Sequence, residues 1–578
     1  MSYGFKKIFF YLPFFLAYVI KKFPSARIVV AVIFLGLILE YAALSVMVPL
    51  ASVSGKSGGM SLAIENFWNY IASTLGLPAN ANTWLWLFLL LLGLRIAVSF
   101  LQTVLNTWVS KLIHVHLSGD LFSYVVKDEK MAEIYKKSVG HYIALAGDES
   151  FRVGQVFFNL AQATASIIAA LVGLAVMFFF SILAFKITLL FLLISAILIG
   201  FALKRIFLWI EASAKLSREA ATIFLDSFNG IRSIRTMAGE NFVVDQYQRA
   251  MKIYGCILFK LDALNQAVRS LPALLLVVAG LIVLHPSAKF FDNFSAIYFF
   301  AVTTMLIRVL GFLGIAVSSG GRAAIDIRGA FDIEDIIRPA SKNINLADKK
   351  NLNSIQHINI SDLCFSYAMK NSVLSGINAK LMAGHSYALI GKSGSGKSTL
   401  SDLLLGLMEP TSGKLEIENF SYEDINLFSL RQKVVLVEQQ ARIFSGTISE
   451  NISFGLNCSN DQLNNAIEVS GLVEFINSLE NGIDEVLNYQ GANLSGGQRQ
   501  RIGLARAILR CPDVLILDEA TSALDTETRD LVMSNLKQMF NRKILIYITH
   551  DQHIIKSVDE VWYMHKGNLK IKKNVYSN

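Results

Sequence analysis

Gly391-Lys392-Ser393-Gly394-Ser395-Gly396-Lys397-Ser398 follows the apolar run Tyr387 to Ile390 and precedes the helix-compatible run Thr399 to Leu407. Strand, glycine-rich loop and helix are the context in which this string binds phosphate. Glycines let backbone N–H groups close around the oxygens, Lys397 reaches the β- and γ-phosphates, and Ser398 can ligate Mg²⁺. The stretch predicts an α/β P-loop NTPase domain, with Gly391 to Thr399 as nucleotide contacts.

Outward from that loop, a second apolar strand, Val514 to Leu517, ends in Asp518-Glu519. A carboxylate at such a strand end can hold Mg²⁺ through water, and its neighbour can polarise the attacking water, so Asp518 is the expected metal ligand and Glu519 the expected general base. Further on stand Leu494-Ser495-Gly496-Gly497-Gln498, Ala520-Thr521-Ser522-Ala523-Leu524-Asp525, and His550 after the strand Ile544 to Ile548.

The chain ahead of this domain is different in kind. The whole has 578 residues, 53% hydrophobic and 17% charged, with 39 Phe. That exceeds one hydrophobic core and is too apolar for a soluble enzyme. The net charge of +9 comes largely from Lys and Arg flanking apolar segments, without a basic helix carrying interleaved aromatics, which argues for a bilayer and against nucleic acid. The four cysteines are far apart with no CxxC pair, as expected of reduced cytosolic thiols rather than a zinc site or a disulfide framework.

Six segments have the length and apolarity of membrane spans: 28–53, 84–109, 156–182, 188–207, 271–284 and 294–317. With the N-terminus inside, the outer loops hold only Lys56, Lys186 and Lys289, while most Lys and Arg fall on inner stretches, so both termini are expected in the cytosol; the membrane is expected to be a bacterial inner membrane. Residues 8–20 are too short to cross and read as an interfacial helix. The inner connections, 110–155 and 208–261, lack Pro and keep helical spacing, so they are expected to extend the membrane helices and turn near Gly140 and Gly230. The expected domains are an N-terminal interfacial helix (1–27), a transmembrane domain (28–325), a linker (326–356) and a nucleotide-binding domain (357–578).

Taken in order, these motifs resemble those of ATP-binding cassette proteins from about residue 357 to 570, and the whole chain resembles an ABC exporter half-transporter. The resemblance implies the remaining roles. Tyr367 matches the aromatic residue that stacks on adenine, Gln439 the glutamine that reaches Mg²⁺ and faces the membrane domain, and His550 the residue that senses the γ-phosphate. Two cassettes in this family enclose two ATP molecules head to tail, so Ser495, Gly497 and Gln498 of one subunit would complete the site on the other. Because Glu519, His550 and the signature are all present, a homodimer with two competent sites is expected. Residues 140–148 and 228–240 resemble the loops that hold the coupling helices. Two departures stand out: Asn488-Tyr489 replaces the usual Gly-Glu before the signature, and the chain stops soon after Gly567.

The membrane segments carry charges that are costly there. Glu40, Arg95 and Arg308 fall at similar depth, with Arg269 nearer the inner surface. Such residues face a cavity or a partner. They are read either as a structural Glu40–Arg95 pair or as a cavity in which Arg308 and Arg269 meet an anionic substrate. Segment one resembles, faintly, flippases for lipid-linked oligosaccharides. Two substrate classes stay open: a peptide or drug, and a lipid-linked glycan or other anionic amphiphile. The N-terminal region lacks the Cys and His arrangement of a leader peptidase, which disfavours export coupled to leader cleavage. A nucleotide-gated channel on the same fold is the remote alternative.

Overall fold

A computed structural model of the chain describes residues 17, 19–46, 49, 61–137, 139–180, 182–283, 307–324, 326–327, 349–367 and 372–573. It divides into two compact units, one of Met1–Glu129 with Lys136–Lys342, the other of Lys130–Tyr135 with Asn343–Asn578. The expected interfacial helix and linker lie mostly outside the described residues.

The first unit is helical. Helix α1 (Pro24–Ser45) opens with Pro in its first turn, where a missing N–H costs nothing. After α2 (Ser61–Thr74) comes α3 (Ala81–Lys127), 47 residues long and capped where Asn80 Oδ1 accepts from Thr83 N at 2.9 Å. At about 1.5 Å per residue its length is roughly 70 Å, more than twice a hydrocarbon core of about 30 Å, so one unbroken helix carries the chain well beyond the bilayer.

Then follow α4 (Met131–Lys136), all but its last residue belonging to the second unit, and, in the first unit, α5 (Val139–Ala144), a π-turn (Leu145–Glu149), α6 (Ser150–Phe180), α7 (Ile182–Asn229), α8 (Ile231–Thr236) and α9 (Glu240–Val283). Among the described residues three helical stretches are long and apolar enough to cross a membrane: Pro24–Ser45, Ala81–Lys127 and Val139–Phe178. The fourth and fifth expected spans fall on α7 and α9, whose side chains are described only in part, and the sixth enters the description at residue 307.

One expectation is corrected. The first inner connection turns at Asp128–Lys130, not near Gly140, which is buried inside α5. The charged run Lys127-Asp128-Glu129-Lys130 breaks the apolar periodicity, and Asp128 leaves helical geometry with φ −120°. The second reversal does use its glycine: Gly230 stands between α7 and α8.

Glycines also set how closely the helices approach. A Cβ on Gly154 of α6 would lie 2.3 Å from the Ser110 carbonyl oxygen of α3, and one on Gly173 would lie 2.6 Å from Val309. Beside Gly173, Tyr41 Oη of α1 donates to the Ala169 carbonyl. Val29, Val109, Ile113, Val153 and Phe157 fill the space between α1, α3 and α6. Phe100, Leu90 and Ile38 stay exposed, as lipid-facing positions do.

The second unit is built on two main sheets. β1 (His357–Ser366), β2 (Ser372–Met382), β4 (Ser412–Ile417) and β5 (Phe420–Ser421) form an antiparallel sheet in the order β2-β1-β4-β5. β3 (Ser386–Ile390), β6 (Val434–Val437), β9 (Val514–Asp518), β10 (Ile544–Ile548), β11 (Glu560–His565) and β12 (Asn568–Lys573) form the other, in the order β12-β11-β3-β10-β9-β6. It is parallel except for β12. β7 (Gly446–Thr447) and β8 (Val486–Leu487) make a small ladder. Buried on both faces, β9 and β10 are continuous apolar runs. The parallel order places the ends of β3, β9 and β10 side by side. Lys130 and Met131 belong to this unit: Lys130 Nζ lies 2.9 Å from Glu409 Oε2, and Met131 packs on the core.

Candidate nucleotide site and membrane charge cluster

The loop after β3 leads into α10 (Lys397–Leu404), with Gly394 and Gly396 at φ +76° and +110°, values that favour glycine. A Cβ on Gly391 would stand 2.2 Å from the Met564 carbonyl oxygen, so only glycine lets the loop seat against β11. Lys397 Nζ is held over the loop by the carbonyls of Gly391 (2.6 Å) and Lys392 (3.2 Å). Ser395 Oγ is buried with no hydrogen-bond partner among the described residues. A glycine cradle, a lysine poised above it and an orphaned buried hydroxyl fit a bound polyphosphate. Tyr367, half exposed, leans edge-on against Phe365, and its Oη lies 3.2 Å from Oγ1 of the buried Thr399.

At the end of β9, Asp518 has its carboxyl pushed up by burial and by Glu519 and Glu438, against the opposing pull of Lys397. The oxygen donors of Ser398, Asp518 and Gln439 suit Mg²⁺, whose charge would relieve that repulsion. Glu519 sits in the left-handed region at φ +45°, a strained conformation held by Glu519 N donating to the Ile548 carbonyl at 2.9 Å. Its carboxylate accepts from Gln439 Nε2 at 2.5 Å, and His550 Nε2 lies 4.0 Å away. Gln439, Glu519 and His550, far apart in sequence, therefore meet at one point.

Ser495 is exposed and caps α11 (Gly496–Leu509): Ser495 Oγ accepts from Gln498 N at 3.2 Å, and Gln498 Oε1 accepts from Ser495 N at 2.7 Å. No hydrogen bond or ion pair among the described residues joins Ser495, Gly497 or Gln498 to the phosphate loop. Asp525 caps α12 (Thr526–Met539), and the Thr528 N–H holds its carboxyl below the usual range.

Sequence reasoning passed over Asp402, whose carboxyl is pushed up to about 6 by burial and by Glu438 and Asp518. Asp402 is four residues beyond Ser398 on α10, and that i,i+4 spacing was the available signal.

In the membrane unit, Glu40 is 6% exposed and takes two guanidinium groups. Arg95 Nε lies 2.7 Å from Oε2 and Arg308 Nη1 3.2 Å from Oε1. Arg95 Nη1 is buried without a hydrogen-bond partner among the described residues, and the Arg308 side chain is 49% exposed. The pair read from the sequence is thus a cluster of three charges, two guanidinium groups sharing one carboxylate. Arg269 lies on α9, its side chain outside the description.

The profile of the ABC transporter transmembrane region matches residues 10–310, and that of the ABC transporter domain matches residues 374–522. An ATP-dependent lipid A-core flippase of Legionella pneumophila (strain Lens) is 27% identical over 485 residues, 82% of this chain and 81% of the relative. A protein of the same name from Desulfotalea psychrophila is 30% identical over 364 residues, covering 61% of this chain and 62% of its own. The solved structure of a bacterial Atm1-family ABC exporter with ATP bound superposes with a TM-score of 0.77 at 20% identity, over 96% of each chain. A phosphate cradle facing a strand-end carboxylate pair, behind apolar membrane helices and matched by both profiles, shows that this chain belongs to the ABC transporter family, with transmembrane region and ATP-binding domain in one polypeptide of exporter fold.

Proposed function

We propose that the protein exports an anionic amphiphile, such as a lipid with a phosphorylated or glycan-linked headgroup, by alternating access driven by ATP. The observation that carries this reading is the charge imbalance at Glu40: one carboxylate between two guanidinium groups leaves a net positive charge in a membrane unit. Such a charge at depth is stable only with a partner, and an anionic headgroup supplies one. The relatives named ATP-dependent lipid A-core flippases have a lipid in their name, which supports an amphiphile over peptides and drugs.

In this reading Tyr367 stacks on the adenine, the Gly391 to Thr399 loop holds the phosphates, and Ser398, Gln439 and Asp518 hold Mg²⁺, which when bound offsets charge on the phosphate oxygens. Glu519 takes the proton of the attacking water, and His550 stabilises the γ-phosphate side. Because no hydrogen bond or ion pair among the described residues joins Ser495, Gly497 or Gln498 to their own phosphate loop, they are assigned to the loop of a second copy, which makes the working unit a homodimer. The protein sits in the bacterial inner membrane with both termini in the cytosol.

The deciding experiment is ATPase stimulation of the protein in proteoliposomes by anionic lipid-linked sugars, their neutral counterparts, cationic drugs and peptides. Stimulation by the anionic lipids that is lost in Arg308→Ala, with basal turnover kept, supports the reading. Equal stimulation by neutral and anionic species overturns it. Flux that persists with a non-hydrolysable ATP analogue would instead indicate a channel.

A further inference from the structure

Helix α11 presents one face, at i, i+3 and i+6, to two loops of its own subunit. On that face a Cβ on Gly497 would lie 2.9 Å from the Ala523 carbonyl oxygen, and one on Gly503 would lie 2.6 Å from the Ala441 side chain. Between the two glycines stands Gln500, 4% exposed. Its Nε2 donates toward the Gln439 carbonyl (3.0 Å), the Glu519 carbonyl (3.3 Å) and Ser522 Oγ (3.3 Å), while its Oε1 accepts from Ala523 N at 3.0 Å. The amide orientation is fixed by its partners, since carbonyl oxygens cannot donate and a backbone N–H cannot accept.

We propose that Gln500 is a positioning residue for ATP hydrolysis: through one buried amide it sets the backbone of Gln439 and Glu519, and ties both to the loop that carries Ser522 and Ala523. The proposal deepens the reading above and rests on Glu519 as the general base. Glu519 holds a left-handed conformation that a glutamate does not favour. Its carbonyl accepts from Gln500 and from Ser522 N, at 3.0 Å, so α11 fixes the backbone on which the carboxylate is mounted. The Gln439 backbone is held by the same amide, while its side chain donates to the Glu519 carboxylate at 2.5 Å. A buried network of this kind loses its register when a member is removed: without the Gln500 amide the Gln439 carbonyl and the Ala523 N–H lose this partner, and the Glu519 carbonyl keeps only Ser522 N. Since Ser495 caps the start of α11, an event at the exposed signature end of the helix reaches the base through about one and a half turns of helix and one side chain.

The test is steady-state ATPase of the full-length protein, with binding of a fluorescent ATP analogue and thermal unfolding measured on the same samples. Gln500→Met removes every polar contact at similar volume, Gln500→Glu keeps an acceptor for Ala523 N but offers no donor to the carbonyls, and Gln500→Lys keeps donors but loses the acceptor. Expected is a kcat at least tenfold below wild type for Met, a larger loss for Glu, and a smaller loss for Lys, with KM and analogue Kd within about twofold because the phosphate loop is untouched. A folded Gln500→Met protein with kcat within twofold of wild type overturns the proposal, as does equal activity of the Lys and Glu variants. If the Met variant does not fold, the Lys and Glu pair still decides it. Full activity in Glu519→Gln would instead sink the general-base reading, whereas an inactive Glu519→Gln beside fully active Gln500 variants sinks only this inference.

Discussion

Gln439 Nε2 donates to Glu519 Oε2 at 2.5 Å, so in this state the carboxylate expected to attack-activate water is engaged by the residue expected to reach the metal. Glutamine at position 519 would keep an oxygen for that hydrogen bond while losing the ability to take a proton. Glu519→Gln should therefore retain Mg-ATP binding and lose ATPase activity by roughly a hundredfold or more, the usual worth of a general base. Turnover within threefold of wild type, together with normal nucleotide binding, would remove Glu519 from that role.

Ser495 is exposed at the start of α11, and among the described residues its hydroxyl hydrogen-bonds only to Gln498 N, in its own capping box. If it serves the phosphate loop of a second copy, subunits carrying Ser495→Arg mixed with subunits carrying Lys397→Ala should form dimers with one intact composite site. Crosslinked mixed dimers should bind one equivalent of ATP analogue per dimer at that site, and neither parent dimer should close on nucleotide. Mixed dimers no better than the parents would argue against head-to-tail assembly.

Glu40 holds two cations, so Glu40→Ala should lower the unfolding temperature by more than removal of either arginine. It leaves like charges facing each other where an unpaired charge costs about 2.5 kcal/mol or more. Adding Arg95→Ala to Glu40→Ala should recover a large part of the loss. Arg308→Ala, at a half-exposed side chain, should barely move thermal unfolding. Additive effects of Glu40→Ala and Arg95→Ala in unfolding scans would dissolve the cluster as a unit.

Asp402 is expected to make the ATP-binding unit less stable as pH rises. Its carboxyl titrates near 6 in the folded protein against an ordinary value of 3.8, so between those values the native state binds more protons than the unfolded chain. Stability from this group is then full below about pH 4 and is lost as pH rises through about 6. Asp402→Asn should stabilise this unit at pH 8 by about 1 kcal/mol once solvent screening is allowed for, seen as a higher unfolding temperature, and leave it unchanged at pH 4. Unfolding scans without nucleotide or divalent metal at both pH values check this; an equal effect at the two would show that the shift is not the cause.

The nucleotide domain was legible in the sequence because its chemistry is local. Gly391 to Ser398 needs only its own strand and helix to make a phosphate cradle, and Asp518 needs only the end of β9, so spacing along the chain carries the geometry. The apolar segments were legible for a similar reason, since solvation in lipid acts on each stretch by composition alone. What the sequence could not supply were contacts made across the fold. The first inner turn fell at a charged run instead of a glycine, because a buried glycine inside a helix and a glycine at a turn look alike in one dimension. Glu40 took a second arginine because Arg308 approaches from a helix far along the chain, and charge depth alone cannot say which cations share a carboxylate. Asp402 and Gln500 gained their surroundings only when parallel strand order brought the loops after β6 and β9 against α10 and α11. Burial and hydrogen bonding are properties of neighbours in space, and the tertiary structure alone decides which residues those are.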